Sequence, residues 1–287
     1  MTLAQAVQQA AQTLAGQGIS NTRLDAELIL SYVLDRNRAW LITHFQDALG
    51  EDEQKVFEGL VLRRAQHEPL QHILGRQEFW GLDFKVTPDV LIPRPETEQI
   101  IESALGIARQ TNSRITLLDL CTGSGCIAVS LAHELASSRI IATDASPEAL
   151  TVAQENAARH KVTDRVTFLQ GDLFAPLEML DIREQIDIIV TNPPYIPSGD
   201  LSTLQPEVRD YEPEMALIAG PEGTEIGTAI IRQAPAFLKQ GGTLIMEMGI
   251  GQANELSVVV NKTGAYNALE VLKDLAGIER VIVARKA

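Results

Sequence analysis

Apolar positions at helical spacing mark the start of the chain. Leu3, Val7, Ala10 and Leu14 fall on one helical stripe, and Gly16-Gln17-Gly18 ends it. This pattern predicts an amphipathic helix whose apolar side faces a core.

The same pattern continues over the next residues. A second helix is expected after Asn21, its predicted N-cap, with an apolar face running from Leu24 to Val33. A third is expected to begin near Glu51, with acidic residues at its start and basic residues near its end. Residues 1–75 therefore predict a small bundle of helices.

After this bundle, the spacing of apolar residues changes from a helical period to the alternation typical of strands. Glu78–Trp80 and Leu82–Val86 flank Gly81 and predict a hairpin, with Phe79 and Trp80 in its core. The stretch Leu91–Glu98 combines prolines with acidic residues, as at the first turn of a helix. We interpret residues 76–111 as a β-hairpin and an ordered linker.

From residue 112 onward, strands and helices alternate. Such alternation predicts an α/β domain over 112–287, with a parallel sheet covered by helices on both faces. The long loop 197–222 is expected to be a lid or a binding loop. The expected strands are Ile115–Leu120, Ile140–Thr143, Val166–Gln170, Ile186–Thr191, Thr243–Met248, about Leu269–Lys273 and Val281–Ala284, and the expected helices are Gly125–Ala136, Pro147–His160 capped by Ser146, Thr224–Leu238 and Gln252–Val260.

Composition and charge narrow the possible partners. The 287 residues suit two domains, and 38 acidic against 24 basic residues give a net charge of −14. An acidic surface disfavours a nucleic acid and favours a positively charged protein. No apolar run approaches the roughly 18 residues of a membrane span, and Met1–Gln5 does not resemble a signal peptide. These features predict a cytoplasmic protein with no membrane partner.

Cysteine and histidine spacing suggests no metal. Cys121 and Cys126 lie five residues apart across a glycine-rich turn, and the five histidines are scattered. This arrangement suits neither a disulfide framework nor a zinc site. We therefore expect reduced cysteines and no metal ligands.

The most informative motif is Asn192-Pro193-Pro194-Tyr195, which follows the β-branched run Ile186–Thr191. Two prolines force the chain out of the sheet in a rigid, extended form. Open α/β sheets bind ligands just past the carboxyl ends of their strands. Asn192 offers a neutral carbonyl there and Tyr195 an aromatic face, which suits a planar, uncharged NH₂ group.

A second motif joins the first strand of this domain to its first helix. Cys121, Thr122, Gly123, Ser124 and Gly125 form a glycine-rich turn that allows close backbone approach to a ligand. Asp144 ends the next strand, where a carboxylate can accept both hydroxyls of a ribose. The turn also satisfies the loose dinucleotide fingerprint, so these two features alone leave the nucleotide open.

The third strand ends in Gly171-Asp172-Leu173-Phe174. Asp172 is placed to accept an adenine amino group, and Leu173 and Phe174 are placed to pack on the ring. All four strand ends are expected to share one crevice. Together they point to S-adenosylmethionine beside an amide or amine that accepts a methyl group.

These motifs resemble class I methyltransferases of planar nitrogens. Pro69–Gly75, Glu78–Trp80 and Leu91–Glu98 narrow the resemblance to the HemK/PrmC type, the peptide chain release factor glutamine methyltransferases. Tyr211-Glu212-Pro213, Gly220–Gly223 and Glu247-Met248-Gly249 also match, so the resemblance covers nearly the whole chain. It implies a helical substrate-recognition domain, a hairpin linker and a seven-stranded Rossmann-like domain.

The resemblance also implies roles for individual residues. The substrate would be the Gln of the Gly-Gly-Gln motif in release factors, lying on Asn192, Pro193, Pro194 and Tyr195. The cofactor would contact Cys121–Gly125, Asp144, Asp172, Leu173 and Asn192. Asn192 Oδ1 and the Pro193 carbonyl would accept the two amide N–H groups, with Tyr195 stacked on the amide plane. Two positions depart from the family pattern: Cys121 replaces a frequent Gly, and His72 a frequent Tyr.

Three other functions remain to be weighed. A nucleic-acid amino methyltransferase shares the Asn-Pro-Pro-Tyr logic but needs basic stripes that this chain lacks. A glutamine methyltransferase of a ribosomal protein is the nearest alternative, although that group tends to have Arg-Ser-Pro where this chain has Arg94-Pro95-Glu96. A nicotinamide-dependent oxidoreductase would leave Asn192–Tyr195 unexplained.

Two further residues have a structural and a functional interpretation. Arg94 is expected either to reach the carboxylate of the cofactor or to hold the linker through a salt bridge. Glu247, just after a buried strand, is interpreted as a capping or structural acid.

Overall fold

The computed structural model describes residues 1–110 and 114–287, which form two compact units. One unit contains Met1–Arg76 together with Gln205–Tyr211. The other contains Gln77–Leu204 and Glu212–Ala287. The predicted boundary between 111 and 112 lies outside the described residues. The separate segment Gln205–Tyr211 was expected to belong to the loop of the α/β domain.

Helices alone make up the first 75 residues of the first unit. Their apolar stripes meet in one core that includes Leu14, Ile29, Leu30 and Leu41. The helices are α1 (Leu3–Ala15), α2 (Thr22–Val33), α3 (Arg38–Thr43), α4 (Glu51–Ala65) and α5 (Leu70–Leu74).

The predictions for this bundle were right for the three long helices and missed the two short ones. α3 and α5 span six and five residues, too few for a helical period to stand out in the sequence. Asn21 holds the predicted N-cap position of α2, but its side chain makes no capping hydrogen bond. Thr2 caps α1 instead, in a reciprocal pair with Gln5.

The rest of the chain alternates strands with helices. Its elements are β1 (Arg76–Phe79), β2 (Leu82–Lys85), α6 (Glu98–Ala108), β3 (Thr116–Leu120), α7 (Cys126–Glu134), β4 (Arg139–Asp144), α8 (Pro147–Arg159), β5 (Val166–Gln170), β6 (Ile186–Thr191), β7 (Ile196–Pro197), α9 (Pro206–Tyr211), β8 (Ile218–Gly220), α10 (Glu225–Gln233), β9 (Leu238–Glu247), α11 (Ala253–Thr263), β10 (Tyr266–Lys273) and β11 (Glu279–Lys286).

Seven of the described strands form one sheet in the order β10-β11-β9-β6-β3-β4-β5. The pairs β1-β2 and β7-β8 form two small separate sheets. Pairs among β9, β6, β3, β4 and β5 are parallel, as expected. β11 runs antiparallel to both β9 and β10. The predicted seven-stranded Rossmann-like sheet is confirmed and is mostly parallel; β10 and β11 are antiparallel because the turn that joins them is too short for a parallel crossover.

Alternation along the strands places apolar side chains on both faces of the sheet. Leu117 and Ile188 point into a core with the apolar side of α6 and α7, whereas Leu118 and Ile189 belong to a core with α10 and α11. The sheet is thus buried on both sides, as its β-branched strands require.

The largest difference from the predicted bounds lies where α10 ends and β9 begins. Helix α10 stops at Gln233, short of the expected Leu238, because Pro235 cannot continue it. Leu238 instead begins β9, five residues before the predicted start at Thr243, and the strand ends at Glu247, one residue before the predicted end. The hairpin was predicted correctly, with Trp80 and Gly81 both at positive φ in its turn.

The order of connections creates a switch point at β3. The chain moves from β3 through β4 to β5 on one side and then crosses to β6 on the other. Ligands of open α/β sheets bind in the crevice at such a point. No helix among the described residues is long and apolar enough to cross a membrane.

Candidate active site

The carboxyl ends of β3, β4, β5 and β6 open onto a cavity of about 350 Å³ in the second unit. That volume is within the range of small-molecule sites. Four strand ends that are distant in sequence contribute to its wall. The predicted site residues that line it are Cys121, Thr122, Gly123, Ser124, Asp144, Asp172, Leu173, Asn192 and Pro194.

Buried Asp119 organises the glycine-rich turn. Its Oδ2 accepts hydrogen bonds from Thr122 Oγ1 at 2.6 Å and from the Ala128 N–H at 3.2 Å, so it joins the turn to α7. Burial raises the pKa of Asp119 to about 7. Sequence analysis did not single this residue out, because an acid inside a strand also occurs as an ordinary structural residue.

The Asp144 carboxylate lies beside this turn. Oδ2 accepts the Gly123 N–H at 2.8 Å, and Oδ1 accepts the Ser146 N–H at 3.0 Å. Burial raises the pKa of Asp144, and these backbone hydrogen bonds oppose the shift. Each oxygen keeps a lone pair, so a carboxylate fixed in this way can still accept a hydroxyl from the cavity.

Ser124 contributes a second polar group to the cavity wall. Its carbonyl accepts from Asn156 Nδ2 at 2.9 Å, and Asn156 also pairs with the backbone of Lys85. The Ser124 hydroxyl is buried and lies close enough to the Cys126 thiol to lower the pKa of that thiol. A buried hydroxyl of this kind is suited to a polar group of a ligand.

The end of β5 is only partly as expected. Leu173 lines the cavity with a φ of +46°, next to the exposed Asp172. Phe174, in contrast, lies in the core and stacks on Phe237 with ring centroids 4.9 Å apart. The expectation that Phe174 packs on a bound ring was wrong, because its side chain points to the opposite side of the turn.

Asn192 presents an unpaired oxygen at the end of β6. Its Nδ2 donates to Thr97 Oγ1 at 3.2 Å, and Thr97 in turn donates to Glu247 Oε2 at 2.7 Å. Asn192 Oδ1 is buried and has no partner among the described residues. A buried acceptor beside a cavity is complementary to an N–H donor.

The two prolines and Tyr195 continue from this point. Pro194 lines the cavity, and Pro193 is buried. The Tyr195 hydroxyl lies 3.5 Å from Glu247 Oε1, a long hydrogen bond. Burial raises the pKa of Tyr195, so its hydroxyl stays neutral.

Gln252 fixes the backbone that follows the motif. Its Nε2 donates to the carbonyls of Tyr195 at 2.8 Å and Gly223 at 3.0 Å, while its Oε1 accepts the Gly249 N–H at 2.8 Å. One side chain thus joins three loops. Directly after Tyr195, β7 pairs in parallel with β8, and this pairing joins the two ends of the long segment that connects the strands.

Arg94 lies at the rim of the cavity. Its Nη2 lies 2.6 Å from Glu212 Oε1, and the Glu212 side chain is 1% exposed. The structure therefore supplies the salt bridge, one of the two roles expected for Arg94. Pro213, Met215 and Ala216 follow Glu212 and line the same cavity.

Comparison with known proteins identifies the family. Residues 5–75 match the PrmC N-terminal domain, and residues 111–274 match a methyltransferase domain. The release factor glutamine methyltransferase of Geobacter sulfurreducens is 46% identical over 95% of this chain and 92% of its own length. That of Moorella thermoacetica is 43% identical over 99% of this chain and 98% of its own. The chain belongs to the release factor glutamine methyltransferase family.

The chain is therefore a methyltransferase, as the motifs predicted. Solved structures agree on the fold: the hMettl16 catalytic domain superposes with a TM-score of 0.58 over 78% of this chain and 81% of that one, at 18% identity. A methyltransferase from Pyrococcus furiosus gives 0.50 over 80% and 98%, at 16% identity.

One departure from the family pattern has a visible consequence. Cys121, where the family often has Gly, has a φ of +57°. This left-handed conformation is unfavourable for a residue with a Cβ by roughly 1–2 kcal/mol. Cys121 is also part of the cavity wall.

Sequence reasoning did not assign Thr97 or Gln252 to the site and gave Glu247 only a structural role. Thr97 follows the Arg94-Pro95-Glu96 turn, and its hydroxyl meets Asn192 from 95 residues away. A threonine next to a proline-rich turn carries no local signal for such a contact. The repeated Gly residues around Gln252 were the available hint of close backbone packing.

Proposed function

We propose that this enzyme transfers a methyl group from S-adenosylmethionine to the side-chain amide nitrogen of the Gln in the Gly-Gly-Gln motif of peptide chain release factors. The observation that carries the proposal is the unpaired Asn192 Oδ1 at the cavity, in a chain 46% identical to a release factor glutamine methyltransferase. A neutral acceptor at that place suits a primary amide.

The residues of the cavity fit the cofactor. Asp144 would accept the ribose hydroxyls, and the turn Cys121–Gly125, with the buried Ser124 hydroxyl, would hold the polar tail. Asp172 would accept the adenine amino group, and Leu173 would pack on the ring. Asn192 would border the reacting end. When bound, S-adenosylmethionine supplies an electrophilic methyl group.

An amide nitrogen is a weak nucleophile because its lone pair is delocalised into the carbonyl. Asn192 Oδ1 and the Pro193 carbonyl would each accept one N–H of the substrate amide and so direct the nitrogen toward the donor. Most of the catalysis is then positioning. The same two oxygens would stabilise the positive charge that develops on nitrogen, and Pro194 and Tyr195 would cover the amide plane and exclude water.

The partner would be a class I release factor. The relatives at 46% and 43% identity carry that substrate in their names, and an acidic protein suits a basic partner surface. The helical domain, residues 1–75, is the part we assign to substrate recognition. Release factors act in translation, so the proposal places the enzyme in the cytoplasm.

Label mapping tests the proposal. The enzyme is incubated with radiolabelled S-adenosylmethionine and, in separate reactions, a purified release factor or purified ribosomal proteins, and the labelled residue is identified by peptide mapping. We expect label on the Gln of Gly-Gly-Gln and none on a release factor in which that Gln is replaced by Glu. Label on ribosomal proteins, with none on the release factor, would transfer the proposal to the alternative substrate.

A binding measurement tests the cofactor separately. S-adenosylhomocysteine should raise the Tm of the enzyme in a concentration-dependent way, because a ligand of the native state stabilises it. NAD should leave the Tm unchanged. The opposite result would favour an oxidoreductase.

A further inference from the structure

Behind Asn192, buried hydrogen bonds lead away from the cavity. Asn192 Nδ2 donates to Thr97 Oγ1, and Thr97 Oγ1 donates to Glu247 Oε2. Thr97 and Glu247 are each 2% exposed. The three residues come from the loop after β6, the turn before α6 and the end of β9.

The charge of Glu247 fixes the direction of these bonds. An ionised carboxylate can only accept, so the hydroxyl of Thr97 must donate its single proton to Glu247. The Thr97 oxygen then has only lone pairs to offer, and the Asn192 group that meets it must be the NH₂. Asn192 Oδ1 is left on the other side of the amide, where it has no partner among the described residues.

A proton on Glu247 would allow the opposite arrangement. A neutral carboxyl can donate to Thr97, whose own proton becomes available for Asn192 Oδ1. The Asn192 amide would then rotate and present its NH₂ to the cavity. Facing the NH₂ of a substrate amide, it would offer a donor where an acceptor is required.

We propose that Thr97 and Glu247 are positioning residues that orient the Asn192 amide so that its oxygen faces the methyl-accepting nitrogen. The identity of that acceptor rests on the proposed function. The orientation of Asn192 is a property of the free enzyme and can be measured without any substrate. Glu247 acts through Thr97, which lines the cavity beside Asn192.

Several charged and titratable groups face Glu247. The Tyr195 hydroxyl lies 3.5 Å away, and Arg280 on β11 lowers the pKa of Glu247 while Glu96, in the turn before α6, raises it. Cys126 on α7 is close enough for its own pKa to respond to Glu247. Burial is the largest effect and raises the pKa of Glu247 to about 7.

The sign of the pH dependence follows. The ionised form of Glu247 orients Asn192 for catalysis, and its population falls as the pH drops through about 7. Turnover should therefore have an acidic limb near neutrality. Asp119, whose pKa is also raised to about 7, titrates in the same range. A variant at Glu247 separates the two groups, because an Asp119 limb would persist in it.

Three variants test the proposal by activity. Thr97→Val keeps the shape and removes the hydroxyl, Thr97→Ser restores it, and Glu247→Gln removes the titration. We expect kcat to fall about tenfold in Thr97→Val, the factor equivalent to about 1.4 kcal/mol, with KM for S-adenosylmethionine nearly unchanged. Thr97→Ser should recover most of the turnover, and Glu247→Gln should lose the acidic limb. Full turnover in Thr97→Val, or an unchanged acidic limb in Glu247→Gln, would overturn the proposal.

A second measurement does not depend on activity, and its deciding result comes from the wild-type enzyme. The side-chain NH₂ signal of Asn192 in the ¹⁵N spectrum, assigned by its loss in Asn192→Ala, is followed against pH in the intact enzyme. We expect a transition near the pKa of Glu247 in wild type and in Thr97→Ser, and none in Glu247→Gln. A signal that does not respond to pH in wild type would refute the positioning role, whatever the substrate. Failure to label release factor would refute the proposed function and leave this result standing.

Discussion

Asn192 provides the side-chain acceptor on which the proposed mechanism depends. Asn192→Ala removes the unpaired oxygen and leaves the Pro193 carbonyl as the remaining acceptor for the substrate amide. We expect kcat to fall roughly 10²-fold, by analogy with the loss of one oxyanion-hole donor. Cofactor affinity should change much less. The measurement is steady-state methylation alongside a titration of S-adenosylhomocysteine, and near-normal turnover would contradict the positioning mechanism.

Asp144 is the residue proposed for the ribose. Asp144→Ala should weaken S-adenosylmethionine binding, because each hydroxyl loses a hydrogen bond to a charged acceptor worth about 1.5–3 kcal/mol. The same side chain supports the N–H groups of Gly123 and Ser146, so Asp144→Asn, which keeps one acceptor, serves as the matched control. Titration calorimetry should rank the affinities as wild type, Asn, Ala. Equal affinities for all three would remove Asp144 from the ribose site.

The residues that sequence analysis placed in the cavity share one property. Cys121, Asp144, Asp172 and Asn192 each stand at or just past the end of a strand, and strand ends can be located from β-branched runs. Thr97 and Glu247 form their contacts across 150 residues. Nothing local in the sequence marks such a pair, so only the folded chain reveals it.

Among the elements, the turn between β8 and α10 packs closely against the chain that follows Asn192–Tyr195. Gly223 has a φ of +80°, and a Cβ there would lie 2.7 Å from the Tyr195 carbonyl oxygen and 2.9 Å from Pro197 N. Gly223→Ala should displace the backbone that follows Asn192–Tyr195 and lower turnover clearly, with a reduced Tm. Gly277→Ala is the control, because Gly277 has the same φ of +80° and nothing within 4 Å.

The comparison of these two variants separates the effect of a steric clash from the effect of backbone strain at positive φ. Both lose the freedom of glycine at positive φ and should lose stability by roughly 1 kcal/mol for that reason. Only Gly223→Ala adds a steric clash beside Tyr195. Equal turnover in the two variants would show that the close packing at Gly223 does not fix the position of Asn192–Tyr195.

Element predictions were accurate where one physical signal dominated. β5 and β6 have the predicted bounds, and Ser146 caps α8 through a hydrogen bond to the Ala149 N–H. The short helices α3 and α5 were missed. The edge strand β10 and its neighbour β11 are each longer than predicted, since hydrogen bonding between neighbouring strands extends them beyond their apolar residues.

On the scale of the whole molecule, the main difference from the predicted domains concerns residues 205–211, which were expected in the α/β domain. They belong to the first compact unit, where Arg64 makes ion pairs with both Asp25 and Glu207 at 2.7 Å and Tyr211 donates to the Gln66 carbonyl. Arg64 and Asp25 are nearly buried, so this cluster needs all its partners to offset desolvation. No pattern within residues 205–211 indicates a partner 140 residues earlier.

The last prediction concerns the helical domain. Deleting residues 1–75 should leave S-adenosylhomocysteine binding nearly intact, because every residue lining the cavity belongs to the second unit. Methylation of an intact release factor should fall far more than methylation of a short Gly-Gly-Gln peptide. Contacts between the helical domain and the release factor would align its flexible Gly-Gly-Gln loop, and a short peptide cannot make them. The deletion also removes the partners of Glu207, so the full-length variant Glu207→Gln is the control for that effect. Equal losses on both substrates in the deletion would make the bundle a structural support. A comparable loss in Glu207→Gln would assign the effect to the segment Gln205–Tyr211.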